Sequence, residues 1–215
     1  MRTRTLLGAT ALGCLLFAAS ATSDPAKESE IAWTPGEKGE GRGYTYQVFS
    51  QQKESEPFVR YQVRGTIDST PEKLSKLASE LSADPKRAPK DQTRRVILKT
   101  DTEQIIHTSI DLPMMFSDRD IVTRGVGSSD PKTGIRRIDF KSVEHPSVPP
   151  REGFIRLTRT GGFWEFVPDG DQRSKVTLET YVDLGGSLPG WLVSGMMASN
   201  VIGNYEDVAK EAVGK

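Results

Sequence analysis

Apolar side chains recur at every second position through much of this chain and at every third or fourth in only two stretches, the periods of strands and of helices. Tyr44–Phe49 and Phe58–Ile67 alternate and are rich in aromatic and β-branched residues, so both read as strands. Asp68-Ser-Thr-Pro-Glu-Lys73 is a helix start, with Ser69 or Thr70 as cap and Pro71 in the first turn. Leu74, Leu77, Ala78 and Leu81 follow at helical spacing. Ala83–Asp91 reads as a charged, proline-containing loop. From Arg94 to Asp183 alternation returns and predicts strands near Arg95–Lys99, Gln104–Ile110, Arg119–Val126, Ile135–Ser142, Phe154–Arg159, Phe163–Val167 and Lys175–Asp183. Turn sequences such as Ser128–Gly134 and Pro168–Asp171 separate them.

The second helical stretch closes the chain. Ser187 is placed to cap it and Pro189 falls in its first turn. Leu188, Trp191, Leu192, Gly195, Ala198, Ile202, Tyr205, Ala209 and Ala212 form one stripe, widened by Val193, Met197, Val201 and Val208. Glu206 and Lys210 support the outer face at i,i+4 spacing. An early helix, many consecutive strands and a long final helix make an α+β plan with an antiparallel sheet. Laid across a curved sheet, the final helix becomes one wall of a hydrophobic cavity.

The chain begins differently. Arg2 and Arg4 precede a short apolar run, Leu6–Ala19, and Ala19-Ser20-Ala21 is a cleavage pattern, so residues 1–21 read as a signal peptide. The run is too short for a stable membrane anchor. The single cysteine, Cys14, lies inside it; the apolar run continues past Cys14, which argues against lipoprotein processing there. Cleavage leaves about 194 residues without cysteine and 27 basic against 29 acidic side chains. The periplasm fits such a domain, no disulfide holds it, and no basic stripe marks it for nucleic acid. Thr22–Gly43, rich in glycine and charge, reads as a flexible arm in which Trp33 docks on the domain that follows, residues 44–215.

Candidate catalytic chemistry is sparse. The two histidines are His107, on a strand, and His145, in a loop before Pro146. With no spaced cluster of His, Asp, Glu or Cys, no metal or other cofactor is implied. Gly185-Gly-Ser-Leu-Pro189 lacks the final glycine of a nucleophile elbow, and Ser187 as helix cap explains it better. His107, Asp111, Glu165 and Glu179 are the candidates for acid–base work, and no catalytic residue is expected.

Ordered segments then carry a family resemblance. Ser117-Asp-Arg-Asp-Ile-Val122, Gly153-Phe-Ile-Arg156, Gly162-Phe-Trp-Glu-Phe-Val-Pro168 and Asp183-Leu-Gly-Gly-Ser-Leu-Pro-Gly-Trp-Leu-Val193 resemble, in order, the strand motifs and final-helix lead-in of START (steroidogenic acute regulatory protein-related lipid-transfer) domains. The resemblance covers roughly Tyr44–Val213. It implies a helix-grip fold, a curved antiparallel β-sheet around a long C-terminal α-helix enclosing a lipid-sized hydrophobic cavity. Sterol-binding members tend to carry a charged pair where Thr108 and Gly125 stand here. Arg124 is one residue off, which on a strand means the opposite face.

Several residues are therefore expected at a ligand. Trp164 and Phe166 share a strand face, as do Val176, Leu178 and Val182, and alternation turns them inward. Trp191, Met196 and Met197 are the expected contacts on the helix, methionine adapting to variable acyl chains. Thr108 stands at the family's polar position. Arg119 either reaches the cavity and anchors a head group or, the favoured reading, makes ion pairs together with Asp120 that fix the sheet edge or a loop. Leu112-Pro-Met-Met-Phe116 is a gate, a membrane-touching lip or, as readily, a buried anchor under the helix. The expectation is an exported monomer that binds a lipid or other hydrophobic small molecule. The rivals are a cyclase/aromatase- or hydratase-type enzyme on the same fold and a ligandless interaction module.

Overall fold

In the computed structural model the alternating segments pair into one sheet, and the helical segments pack on its inner face. The structure describes residues 32–52, 58–113, 115–185, 188 and 190–214, with backbone alone for 52, 58 and 190–192. The expected signal peptide, Ser187, Pro189 and the Trp191 side chain lie outside the described residues.

The elements in order are β1 (Thr34–Gly41), β2 (Tyr44–Gln52), β3 (Phe58–Ile67), α1 (Pro71–Ala83), β4 (Gln92–Lys99), β5 (Glu103–Ile110), β6 (Asp118–Ser129), β7 (Arg136–Ser142), β8 (Phe154–Arg156), β9 (Thr160–Pro168), β10 (Ser174–Asp183) and α2 (Gly190–Val213). The sheet runs β1-β2-β3-β10-β9-β7-β6-β5-β4, and β8 adds to β6 in parallel. All other pairings are antiparallel. The seam between β3 and β10 joins the N-terminal strands to the rest, in register from Ser174 opposite Ile67 to Asp183 opposite Phe58. The sheet does not close: β1 and β4 remain its edges.

Part of the expected flexible arm is ordered as β1. Its sequence has no apolar alternation because it is an edge strand exposed to solvent along nearly its whole length. Its glycines serve a close approach instead. A Cβ on Gly39 would fall on the ring of Tyr46, and one on Gly41 on the ring of Tyr44. Trp33 lies beside β1 with the Arg64 guanidinium 5.7 Å from its ring centre.

Thr70 caps α1, its hydroxyl accepting from the Lys73 N–H at 3.4 Å. Leu74 and Ala78 turn inward, and α1 packs on α2, β7 and β9. Lys73 Nζ donates to the Ala212 carbonyl at 2.6 Å, tying the start of α1 to the last turn of α2. The main core lies between the inner sheet face and α2. Phe166, Tyr205 and Leu74 have no exposed surface, and Trp164 stacks on Phe166 with ring centres 5.6 Å apart. A smaller cluster of Ile105, Val122 and Val148 lies on the outer face of β5 and β6.

Candidate ligand-binding site

The sequence motifs turn out to brace one another. Asp120 on β6 is 1% exposed and receives two hydrogen bonds from Arg156 of β8, Nε to Oδ1 at 2.9 Å and Nη2 to Oδ2 at 2.8 Å. His107 Nε2 lies 2.9 Å from the same Oδ2. Burial pushes the Asp120 carboxyl up, but the hydrogen bonds and charges of Arg156 and His107 outweigh it and hold the group below the usual carboxylate range. Arg119, its chain neighbour, points to the other face and donates to the carbonyls of Leu184 (3.1 Å), Gly185 (3.0 Å) and Ser117. It thereby fixes the chain leading into α2.

This disposition corrects one expectation. Arg119 is 2% exposed, spends its donors on backbone carbonyls, and does not line the cavity. Nor does it pair with Asp120, whose partners are Arg156 and His107. The motif's arginine and aspartate act on opposite faces of the sheet, because adjacent strand residues must.

Between the sheet and α2 lies a cavity of about 280 Å³. Its walls are largely apolar: Ile106 and Ile110 of β5, Ile121 of β6, Ile138 and Phe140 of β7, Trp164 of β9, Leu178 and Val182 of β10, and Met197, Val201 and Val208 of α2. Alternation explains the selection. On β5 the even-numbered residues face the cavity, while Ile105 and His107 face the outer layer. On β6 it is Ile121, Thr123 and Gly125 that face in. The volume sits near the lower end of small-molecule pockets, about 300 Å³ upward.

Of the expected contacts, Thr108, Trp164, Leu178 and Met197 line the cavity. Phe166 and Met196 do not: Phe166 is wholly buried beneath Trp164, and Met196 stands about 100° round the helix from the lining residue Met197. Thr108 and Gly125, at the positions of the family's charged pair, both line it. Arg124 faces out and pairs with Glu103 at 2.7 Å, as the one-residue offset requires. Reading the sequence missed the cavity's polar mouth: Gln92 and Arg94 on β4, and Asn200, Asn204 and Asp207 on α2. The spacing of Asn200, Asn204 and Asp207, one helical stripe beside the apolar one, was the signal available.

The acid–base candidates lie elsewhere. His107 has its carboxylate partner, yet it borders an outer cleft with Arg95 and Arg151, across the sheet from the cavity. Glu165 pairs with Arg137 at 3.2 Å, Glu179 with Gln62 and Arg60, and Asp111 is exposed. None of them lines the cavity. His145 is bonded to Ser147 in its own loop at 2.8 Å.

The fold has solved counterparts. A STAR-related lipid transfer protein from Xanthomonas axonopodis superposes with a TM-score of 0.66 at 22% identity, covering 85% of this chain and 99% of that one. Human StAR-related lipid transfer protein 5 superposes with a TM-score of 0.62 at 22% identity, covering 87% of this chain and 89% of that one. The chain thus has the helix-grip fold of START domains, with the sheet open at both edges. In sequence, an uncharacterized protein of Pseudomonas aeruginosa is 27% identical over 92 residues; the match spans 42% of this chain and 44% of that relative's length. No family model matches the chain.

Proposed function

We propose that this protein binds a hydrophobic ligand, a lipid or lipid-sized amphiphile, in the cavity between the sheet and α2, and carries it without chemical change. The observation that carries the reading is the apolar wall itself, built from one face of β5, β6, β7, β9 and β10 and one stripe of α2. Each methylene that leaves water for such a wall contributes about 0.8 kcal/mol, enough to hold an acyl chain with no catalytic group. Catalysis is disfavoured because His107, Asp111, Glu165 and Glu179 all lie off the cavity.

Export to the periplasm and action as a monomer belong to the same proposal, the first supported by the pattern Arg2–Ala21. Contact with a membrane through Leu112–Phe116 is supported by Met115, 83% exposed beside half-buried Leu112 and Phe116. Native mass spectrometry of protein purified from a lipid-containing host tests the reading. A mass increment that organic extraction removes and lipid incubation restores is expected; a protein that is empty as isolated and takes up no lipid would contradict it.

A further inference from the structure

The cavity walls are largely apolar, with the hydroxyls of Thr123, Thr160 and Thr180 among them, and its charged and amide side chains gather at the opening between β4, the end of α1 and α2. Arg94 on β4 pairs across the sheet with Thr108, a cavity-lining residue, so the two share the inner face. From α2, Asn200, Asn204 and Asp207 line the same opening, and Gln92 Nε2 reaches Asn200 Oδ1 across it at 3.2 Å. An acyl tail has no use for these groups, and polar atoms at an apolar wall cost free energy unless they find partners.

Arg94 is half-buried and only one of its nitrogens is engaged. Nη1 donates to the carbonyls of Leu81 at 3.3 Å and Ser82 at 3.4 Å, closing the last turn of α1. Nε and Nη2 donate to no protein acceptor among the described residues. Those two nitrogens form the parallel fork that fits a carboxylate or phosphate. Burial pushes the Arg94 guanidinium below its ordinary value, while the charges of Asp207 and Asp84 pull it back. Neither carboxylate comes within ion-pair distance of it. Arg87, the other cation lining the cavity, is already held by Glu211 at 3.0 Å.

Resting on the cavity-binding reading, we propose that the ligand is an amphiphile with an anionic head group, a carboxylate or a phosphate, seated on the Arg94 fork at the mouth. Its tail runs inward past Thr108 between Ile106 and Met197. Asn204 adds an amide beside the head, and Asp207 sets a limit on the affinity by opposing it.

Displacement of Nile red, an uncharged probe, by hexadecanol, hexadecanoate and hexadecyl phosphate tests this on the full chain. Charge-assisted hydrogen bonds predict that at least one of the anions binds tenfold or more tighter than the alcohol, and which one identifies the head group. Arg94→Gln should abolish that preference, while Arg94→Lys keeps part of it. Asp207→Asn should tighten the preferred anion alone, a readout that does not depend on the Arg94 variants folding. Equal binding of alcohol and anions by the wild type, or an anion preference that survives Arg94→Gln, would overturn the proposal with the cavity reading intact. Failure of all three compounds to bind would overturn both.

Discussion

At the scale of single residues, the most consequential group is Asp120. It is buried with Arg156 and His107, and breaking such a cluster from one side leaves uncompensated charge in the interior. Asp120→Asn should cost about 3–5 kcal/mol, measured as the shift in urea unfolding at neutral pH. A variant as stable as wild type would refute the clamp. The sign with pH follows from the depressed folded pKa of this carboxyl. Its contribution is fully present above the unfolded aspartate value, about 3.9, and is lost as pH falls from there through the lower folded value. Asp120→Asn should therefore flatten that part of the acid limb. Gly125 matters for the opposite reason: a Cβ there meets nothing closer than Gln104 Cγ at 3.5 Å, so a side chain at this position would grow into the cavity.

At the scale of elements, α2 does two jobs. Val201, Tyr205, Val208 and Ala209 bury one stripe, and Tyr205 anchors it by donating to the Thr45 carbonyl at 3.1 Å. Gly203 on its opposite face is exposed, and so is Gly195, which the sequence pattern puts in the apolar stripe; neither has an atom within 4 Å of an added Cβ. Gly203→Ala should stabilise the protein by about 0.5–1 kcal/mol, read as a rise in Tm of about 1–4 °C, with ligand binding unchanged. A fall in Tm would mean that the helix is not regular there. Most elements were legible in the sequence because burial on one face imposes a period. β3 and β10 fall within a residue of their predicted bounds, since alternation runs their whole length. β1 was not legible, since an exposed edge strand needs no apolar face. β4 begins three residues before the predicted start at Arg95, because Gln92 and Arg94 face a polar mouth rather than a core. The same polarity hid the mouth itself. Trp164 and Leu178 were found because a cavity wall obeys the same alternation as a core, and Met197 because it widens the apolar stripe of α2; Phe166, on the same face as Trp164, shows that the pattern does not separate lining from packing.

At the scale of the whole molecule, the fold solves one problem: keeping apolar surface dry around a space that side chains leave unfilled. The N-terminal strands and β10 form a continuous wall, α2 lies on β3 and α1, and the remaining gap toward β4 is the cavity with its mouth. Polar links cross the mouth, Gln92 to Asn200 at 3.2 Å and Arg87 to Glu211 at 3.0 Å. Both are partly exposed contacts of the kind worth about 1 kcal/mol or less, so they add little to holding the mouth shut. The central claim is that an apolar ligand occupies this space, and photocrosslinking tests it most directly. A fatty acid with a diazirine in mid-chain, irradiated with the protein and mapped by peptide mass spectrometry, should mark Ile121, Leu178 or Met197, and Gly125→Leu should suppress those adducts. Adducts confined to exposed residues such as Met115, or adducts that Gly125→Leu leaves unchanged, would contradict the account.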